Sequence, residues 1–126
     1  MNFDAATIAL ALTEREVDLT TFGRTTGNAS RRTLWIWGDD RHLYIRSGKG
    51  IGRDWPRNLL ANGRGVLHLA GRDIPVRARH VDDPTEARAG AAMVNRKYAA
   101  GTAPSEPGAE LTLAEQATFE LTADPG

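Results

Sequence analysis

Six short stretches of the chain have the pattern of β-strands, and in most of them apolar and polar positions alternate with a period of two. Alternation of this kind is typical of β-strands that bury one face. In chain order the stretches are "VDLTTF", "TLWIW", "HLYIR", "GVLHLAG", "DIPVRARHV" and "QATFELTA", at residues 17–22, 33–37, 42–46, 65–71, 73–81 and 116–123. The turn "AGRD" between the fourth and fifth stretches predicts a hairpin. Short strands therefore dominate the predicted fold.

Three further segments have the residue spacing of helices, at residues 5–14, 55–62 and 84–100. Each follows an aspartate that can cap its first turn, namely Asp4, Asp54 and Asp83. Gly63 is expected to end the second helix in the left-handed conformation. Because no βαβ crossover recurs, the pattern favours an α+β fold, a small and mostly antiparallel β-barrel with peripheral helices. We expect one domain over residues 1–126.

The second strand is apolar on both of its faces. Trp35 and Trp37 share one face, and Leu34 and Ile36 share the other. A barrel has one interior face, so a helix or a second subunit must cover the outer one. The predicted helices carry narrow, alanine-rich apolar stripes that we expect to be too small for this task. The sequence therefore predicts a symmetric homodimer.

Composition limits the compartment and the partners. The chain has no cysteine, and no apolar run approaches the roughly 18–20 residues of a membrane span. Its N-terminus carries acid where a signal peptide needs basic residues. We therefore expect a cytoplasmic protein that does not bind membranes and depends on packing for its stability.

Charge is unevenly distributed, although the formal net charge is zero. Residues 24–64 contain nine Arg or Lys against three Asp, and the rest of the chain contains seven basic and thirteen acidic residues. A basic segment of this kind can focus its potential on an anionic ligand. The aromatic residues are not interleaved with the arginines as stacking on nucleic acid requires, so we expect no nucleic-acid partner.

The segment "RSGKGIGRDW" at residues 46–55 is the candidate binding loop. Its glycines let backbone N–H groups converge on an anion, and the helix that follows adds a partial positive charge. Arg46, Lys49 and Arg53 can close over a phosphate from several sides. The spacing fits neither the P-loop nor G-x-G-x-x-G. Two interpretations stay open, a phosphate site and a mobile surface loop.

The sequence does not identify a catalytic residue, and it predicts no metal site. The three histidines, His42, His68 and His80, lack the spacing of metal ligands. An acid near the barrel mouth could act as a general base, and the candidates are Glu14, Glu16 and Asp18. Their positions in space do not follow from the sequence.

Most of the chain, from about Val17 to Leu121, resembles the split-barrel proteins of the deazaflavin-dependent nitroreductase family. Three segments carry the resemblance: "TTFGRTTGNASRRTLWIW", "LYIRSGKGIGRDWPRNLLANGRGVLHLAGRDIPVRARHV" and "DDPTEARAGAAMVNRKY". The motifs "TTFGRTTG" and "WPRNLLANG" match the family pattern well. The resemblance implies a six-stranded split barrel, often dimeric, that binds a flavin or deazaflavin by its phosphate-bearing tail.

The resemblance also implies site residues. The tail-binding groups would be Arg24, either Arg31 or Arg32, and the loop residues Ser47, Gly48, Lys49 and Gly50. The segment "NASRR" replaces a tighter family motif, which leaves both arginines open. Trp55 matches an aromatic position beside the cofactor, and a plain packing role is equally compatible with the sequence. Trp35, Trp37 or Tyr44 could line the ring pocket or belong to the core.

These observations favour an oxidoreductase that binds a flavin or deazaflavin and acts on a small organic substrate. The expected cofactor is FMN or a deazaflavin coenzyme, which would carry the redox chemistry while the protein orients it. The alternative is a cofactor-free enzyme of the cyclase or isomerase type, or a ligand-binding protein, that uses the same barrel pocket.

Overall fold

The computed structural model describes residues 3–48, 50–98 and 104–124. Within them the chain forms seven strands and four helices. In chain order these are α1 (Ala5–Thr13), β1 (Val17–Phe22), β2 (Ala29–Leu34), β3 (Ile36–Gly38), β4 (Leu43–Arg46), α2 (Asp54–Asn62), β5 (Arg64–Leu69), β6 (Arg72–His80), α3 (Pro84–Tyr98), α4 (Leu113–Gln116) and β7 (Thr118–Ala123).

All seven strands belong to one antiparallel sheet in the order β2-β1-β5-β6-β7-β4-β3. The two edge strands of this sheet, β2 and β3, are consecutive in the chain and are separated only by Trp35. One residue therefore connects opposite edges, which requires the sheet to curl until its edges meet. This geometry confirms the predicted α+β barrel with peripheral helices.

The strand predicted at residues 33–37 is in fact two strands, which makes seven strands rather than six. β2 already begins at Ala29, because its residues pair with β1, and β3 pairs with β4. A single regular strand cannot serve two opposite edges of the sheet. The chain therefore bends at Trp35, and residues 29–32, which the alternation did not assign to a strand, belong to β2.

The interior of the barrel holds the larger core. Inward residues of the strands, such as Leu19, Leu67 and Phe119, are fully buried there. α1 adds Ile8 and Ala11 to the same core, and α2 adds Trp55 and Leu59. These two helices close the barrel, and α2 thereby fixes the position of the glycine-rich loop that precedes it.

A second core lies outside the barrel, between the sheet and α3. Trp37 and Tyr44 contribute from the sheet, and Ala87, Val94 and Tyr98 contribute from α3. Trp37 is only 1% exposed. The expectation that the helices would leave this face open is therefore wrong. Small side chains on α3 let the helix approach the indole closely, so an alanine-rich stripe is sufficient to cover it.

The helix ends agree in part with the sequence. The Asp4 side chain accepts a hydrogen bond from the Thr7 N–H at 2.7 Å, as expected of an N-cap. Gly63 ends α2 with φ 66°, also as expected. Asp54 does not cap α2: the N-cap is Arg53, whose side chain makes no capping hydrogen bond, and Asp54 is the first helical residue. Among the described residues, no helix is long and apolar enough to cross a membrane.

Candidate functional site

A cavity of about 610 Å³ lies where the end of β2, the loop after β4 and the start of α2 meet. This volume falls within the roughly 300–1,000 Å³ of small-molecule sites. Its wall consists of Arg32, Thr33, Leu34, Trp35, Arg46, Ser47, Gly48, Gly52, Arg53, Asp54 and Trp55. Three arginines face one aspartate in this set, so the wall is positively charged.

The loop after β4 is held by its own backbone. The Ser47 N–H donates to the carbonyl of Ala117 at 3.1 Å, and the Gly50 N–H donates to the carbonyl of Ser47 at 3.1 Å. Gly50 has φ 87°, a conformation that glycine adopts without strain. A Cβ at Gly48 or at Gly52 would meet no atom within 4 Å. The loop therefore presents open backbone beside the cavity.

Arg46 is the half-buried cation of the wall. Its guanidinium carbon lies 5.8 Å from the centre of the Trp37 ring. No side chain among residues 3–48, 50–98 and 104–124 forms a hydrogen bond or ion pair with it. Burial lowers the pKa of Arg46, and the nearby negative charge of Glu115 opposes this shift. Arg46 thus carries a charge that is partly removed from water and has no directly bound counter-ion in the described chain.

The first turn of α2 supplies further positive potential. Because no side chain caps this helix, its N-terminal N–H groups remain free of a capping partner. Arg53, Asp54 and Trp55, which form the start of the helix, all lie in the cavity wall. A helix N-terminus favours an anion through its free N–H groups and its dipole. Arg46 and the free N–H groups of this helix start therefore contribute positive potential to the same wall, which Asp54 in the first turn partly offsets.

Comparison with known proteins identifies the family of the chain. The model of the F420H(2)-dependent quinone reductase family matches residues 4–110. The chain belongs to this family. Its members are deazaflavin-dependent oxidoreductases, so the resemblance to deazaflavin-dependent split barrels is confirmed. Comparison with curated protein sequences finds no match.

Solved structures share the fold at low sequence identity. A candidate 5-nitroimidazole antibiotic resistance protein from Bacteroides thetaiotaomicron has a TM-score of 0.71 and 13% identity, over 98% of this chain and 82% of that one. An F420 reductase has a TM-score of 0.61 and 18% identity, over 98% and 96%. An FAD-binding protein from Mesorhizobium loti has a TM-score of 0.62 and 18% identity, over 98% and 92%. Likeness at these identities establishes the split-barrel fold.

The structure brings seven of the residues suggested by the sequence into the cavity wall of this family member. They are Arg32, Trp35, Arg46, Ser47, Gly48, Arg53 and Trp55. Gly50 lies beside the wall, where a Cβ would contact Leu113 at 3.4 Å. Lys49 lies outside the described residues. Trp55 is buried against Phe119, with the ring centres 6.0 Å apart, so it has a packing role as well as a place in the wall.

Two suggested arginines lie away from the cavity. Arg24 is exposed in the turn between β1 and β2. The Arg31 Nε donates to a carboxylate oxygen of Asp18 at 2.8 Å. Successive strand residues point to opposite faces, so Arg31 and Arg32 cannot both face the same side of β2. Of the two, Arg32 is the one in the wall.

Asp18 and His68, one of the acids and one of the histidines considered above, form hydrogen bonds away from the cavity. Asp18 lies on the outer face of the sheet. Hydrogen bonds from Thr33 and from Arg31 hold the pKa of its carboxyl group below the usual range. The His68 ring lies 2.7 Å from the hydroxyl of Thr20 and 2.7 Å from the carboxylate of Asp73. Among the described residues, no three histidine or acidic side chains converge as metal ligands.

One charged residue near the site was not anticipated. Glu115 is almost fully buried, and its carboxylate accepts hydrogen bonds from the N–H groups of Thr112 at 2.8 Å and of Ser105 at 3.1 Å. Burial alone would raise the pKa of Glu115, but these hydrogen bonds outweigh it and lower the pKa. The spacing of Thr112 and Glu115 is that of a capping box, a signal that the sequence does contain.

Proposed function

We propose that this chain binds a deazaflavin coenzyme in the 610 Å³ cavity and uses it to reduce a small organic acceptor. The observation that carries the proposal is Arg46, a half-buried guanidinium at the cavity that has no bound counter-ion in the described chain. Because burying a charge without a partner is costly, an anionic ligand here stabilises the site. The family description supports an acceptor of the quinone class.

The residues of the wall fit the phosphate-bearing tail of such a coenzyme. Arg46 and the uncapped start of α2 supply a cation and free N–H groups at one place. Charge-assisted hydrogen bonds of this kind are stronger than neutral ones, because the ionised donor attracts the anionic acceptor. Arg32 and Arg53 lie at the exposed part of the wall and can hold further negative charge of a longer tail.

A bound, reduced deazaflavin would supply the hydride that the acceptor takes up. The residues of the chain bind and orient rather than react. Arg46 and the helix start hold the anionic tail, while the aromatic residues Trp35 and Trp55 give the wall its apolar part. Apolar groups beside the reacting atoms would reduce the water around them.

A titration tests the proposal directly. Purified protein is titrated separately with the deazaflavin coenzyme and with FMN, and binding is followed by changes in the absorption and fluorescence of the ligand. Arg46→Gln is compared with Arg57→Gln. Arg57 is exposed on α2, the helix whose start lines the cavity, but it does not line the cavity itself. We expect Arg46→Gln to raise Kd about 10- to 100-fold, corresponding to about 1.5–3 kcal/mol, and Arg57→Gln to leave it unchanged.

The titration also separates the cofactor-dependent function from its alternatives. Absence of binding for both ligands at tens of micromolar would contradict the proposal. A cofactor-free enzyme or a ligand-binding protein would then be the better interpretation of the cavity. Tighter binding of the deazaflavin than of FMN supports the cofactor named by the family.

We further infer that the protein assembles as a homodimer through the outer face of β1, β2, β5 and β6. α3 covers the outer face near β3 and β4, but the described helices do not cover the other half. Phe22 and Val66 are half-buried on that uncovered half, and the Arg64 guanidinium lies over the Phe22 ring at 5.2 Å. A second copy of the face would complete the burial of these apolar groups.

A further inference from the structure

Trp35 has an unusual position at the corner between β2 and β3. It has no register partner in either strand, so the sheet does not fix the direction of its side chain. The indole is half-buried and belongs to the cavity wall. Side-chain contacts must therefore decide where this ring points.

Tyr98 provides that contact. The rings of Trp35 and Tyr98 are stacked nearly parallel, with centres 4.1 Å apart and planes 8° apart. The Tyr98 hydroxyl is itself fixed, because it lies 2.8 Å from the carbonyl of Arg15 and 2.9 Å from that of Ile36, and it accepts the Ile36 N–H at 3.2 Å. Tyr98 is buried at the end of α3. Trp35 thus rests on an immobilised aromatic ring.

Only one face of the indole is used in this way. Within the part of the chain that the structure describes, no second ring or cation contacts Trp35. A half-buried indole in a cavity wall, stacked on one side only, presents an aromatic surface to whatever occupies the cavity. Planar π-systems stack on such surfaces, as nucleic-acid bases stack on aromatic side chains.

We propose that Trp35 is the platform on which the planar ring of the cofactor stacks, and that Tyr98 is the positioning residue that orients Trp35. This inference rests on the proposed function, because it requires a ligand with a flavin-like ring. It divides the cavity into a ring subsite at Trp35 and a tail subsite at Arg46. The two subsites can be tested separately with riboflavin, which lacks the phosphate, and with inorganic phosphate.

The experiment uses quenching of bound flavin, because an indole stacked on a flavin quenches its fluorescence by electron transfer. Riboflavin and FMN are titrated against the wild type, Trp35→Leu, Trp35→Phe and Trp55→Phe. We expect Trp35→Leu to weaken riboflavin about tenfold and to restore the fluorescence of bound FMN. Trp35→Phe should recover much of the affinity. Trp55→Phe is the control for quenching by the other tryptophan of the wall.

The role of Tyr98 is tested with Tyr98→Leu, which removes the stacked ring, and Tyr98→Phe, which keeps it. We expect Tyr98→Leu to weaken riboflavin about threefold and to restore part of the fluorescence, while Tyr98→Phe, which keeps the stacked ring and loses only its hydroxyl anchors, should change both by less than Tyr98→Leu does. Competition by inorganic phosphate against FMN should be unchanged in both variants and weakened in Arg46→Gln. Tyr98→Met replaces the leucine variant if melting curves show that the latter does not fold.

The outcomes distinguish this inference from the function on which it rests. Wild-type riboflavin affinity and full quenching in Trp35→Leu would overturn the platform, and so would relief of quenching by Trp55→Phe instead. The cofactor function would survive either result, provided that the wild type binds FMN or the deazaflavin coenzyme and Arg46→Gln weakens that binding. Failure of the wild type to bind any flavin or deazaflavin would overturn both.

Discussion

Gly90 lies in the middle of α3, and we expect its replacement by a larger residue to stabilise the protein. A Cβ at this position would lie 3.6 Å from Cζ2 of Trp37, 3.7 Å from its Nε1 and 3.9 Å from Cγ2 of Thr118. These are ordinary van der Waals distances, so alanine fits without displacing its neighbours. Glycine inside a helix costs about 1 kcal/mol relative to alanine. Gly90→Ala should therefore raise the free energy of unfolding by about 1 kcal/mol.

Serine at the same position can add a hydrogen bond. Trp37 is 1% exposed, and its Nε1 has no hydrogen-bond partner among the described residues. A hydroxyl on the Cβ of residue 90 can turn towards this N–H and accept its hydrogen. Serine recovers about 0.5 kcal/mol of helix propensity relative to glycine, and a buried hydrogen bond contributes about 1 kcal/mol. We expect Gly90→Ser to stabilise the protein by about 1.5 kcal/mol.

Urea unfolding, followed by circular dichroism, measures the free energy of unfolding of both variants, and the slope m should be the same as in the wild type. Trp37→Phe removes the unpaired N–H, so a double-mutant cycle isolates the hydrogen bond. The advantage of Gly90→Ser should fall by about 1 kcal/mol in the Trp37→Phe background. If Gly90→Ala destabilises the protein, α3 packs more tightly on Trp37 than these distances allow. If the serine advantage persists without the indole N–H, the hydrogen-bond explanation is wrong.

Three further predictions concern a turn, a buried acid and the assembly. Gly63→Ala should destabilise the protein by about 1 kcal/mol in urea unfolding, because residue 63 has φ 66°, and an unchanged midpoint would contradict this reasoning. The pKa of Glu115 is lowered in the folded protein. Its carboxylate therefore stabilises the fold at pH values above the usual pKa of about 4.3, and this contribution is lost as the pH falls through the lowered pKa. Glu115→Gln should accordingly lower Tm at pH 7, with a difference from the wild type that shrinks towards pH 3; a constant difference would exclude the charge as the cause. Light scattering at micromolar concentration should give the mass of two chains, and Val66→Lys should give the mass of one, whereas a wild-type mass of one chain would rule out the dimer.

The sequence predicts those parts of the fold that depend on local pattern. β1 has the predicted bounds, because Val17 and Leu19 alternate with polar residues whose outward direction follows directly from strand geometry. The hairpin of β5 and β6 was predicted from its turn, in which Ala70 and Gly71 both have positive φ. Such signals lie within a few residues of one another, so an isolated segment already contains them.

The remainder depends on contacts that are distant in sequence. The bend at Trp35 arises because β2 and β3 join different edges of the sheet, and no local signal at residues 33–37 marks it. The choice between Arg31 and Arg32 follows from the pairing of β2 with β1. Trp37 is covered because α3 packs against it. The side-chain sizes on β3 or on α3 alone do not show how closely the two elements approach.

The corner at Trp35 has a consequence for the order of folding. β2 pairs with its neighbour in sequence, and so does β3, but the sheet between them is completed by pairings across long chain separations, β1 with β5 and β4 with β7. Closing such long loops costs entropy before the contacts repay it, so these pairings form slowly. The cavity needs β2, the loop after β4 and α2 at once, so it does not exist in a partly assembled sheet. A ligand of this cavity therefore binds only the closed barrel, and it stabilises that state against opening by an amount that the ligand concentration and Kd determine.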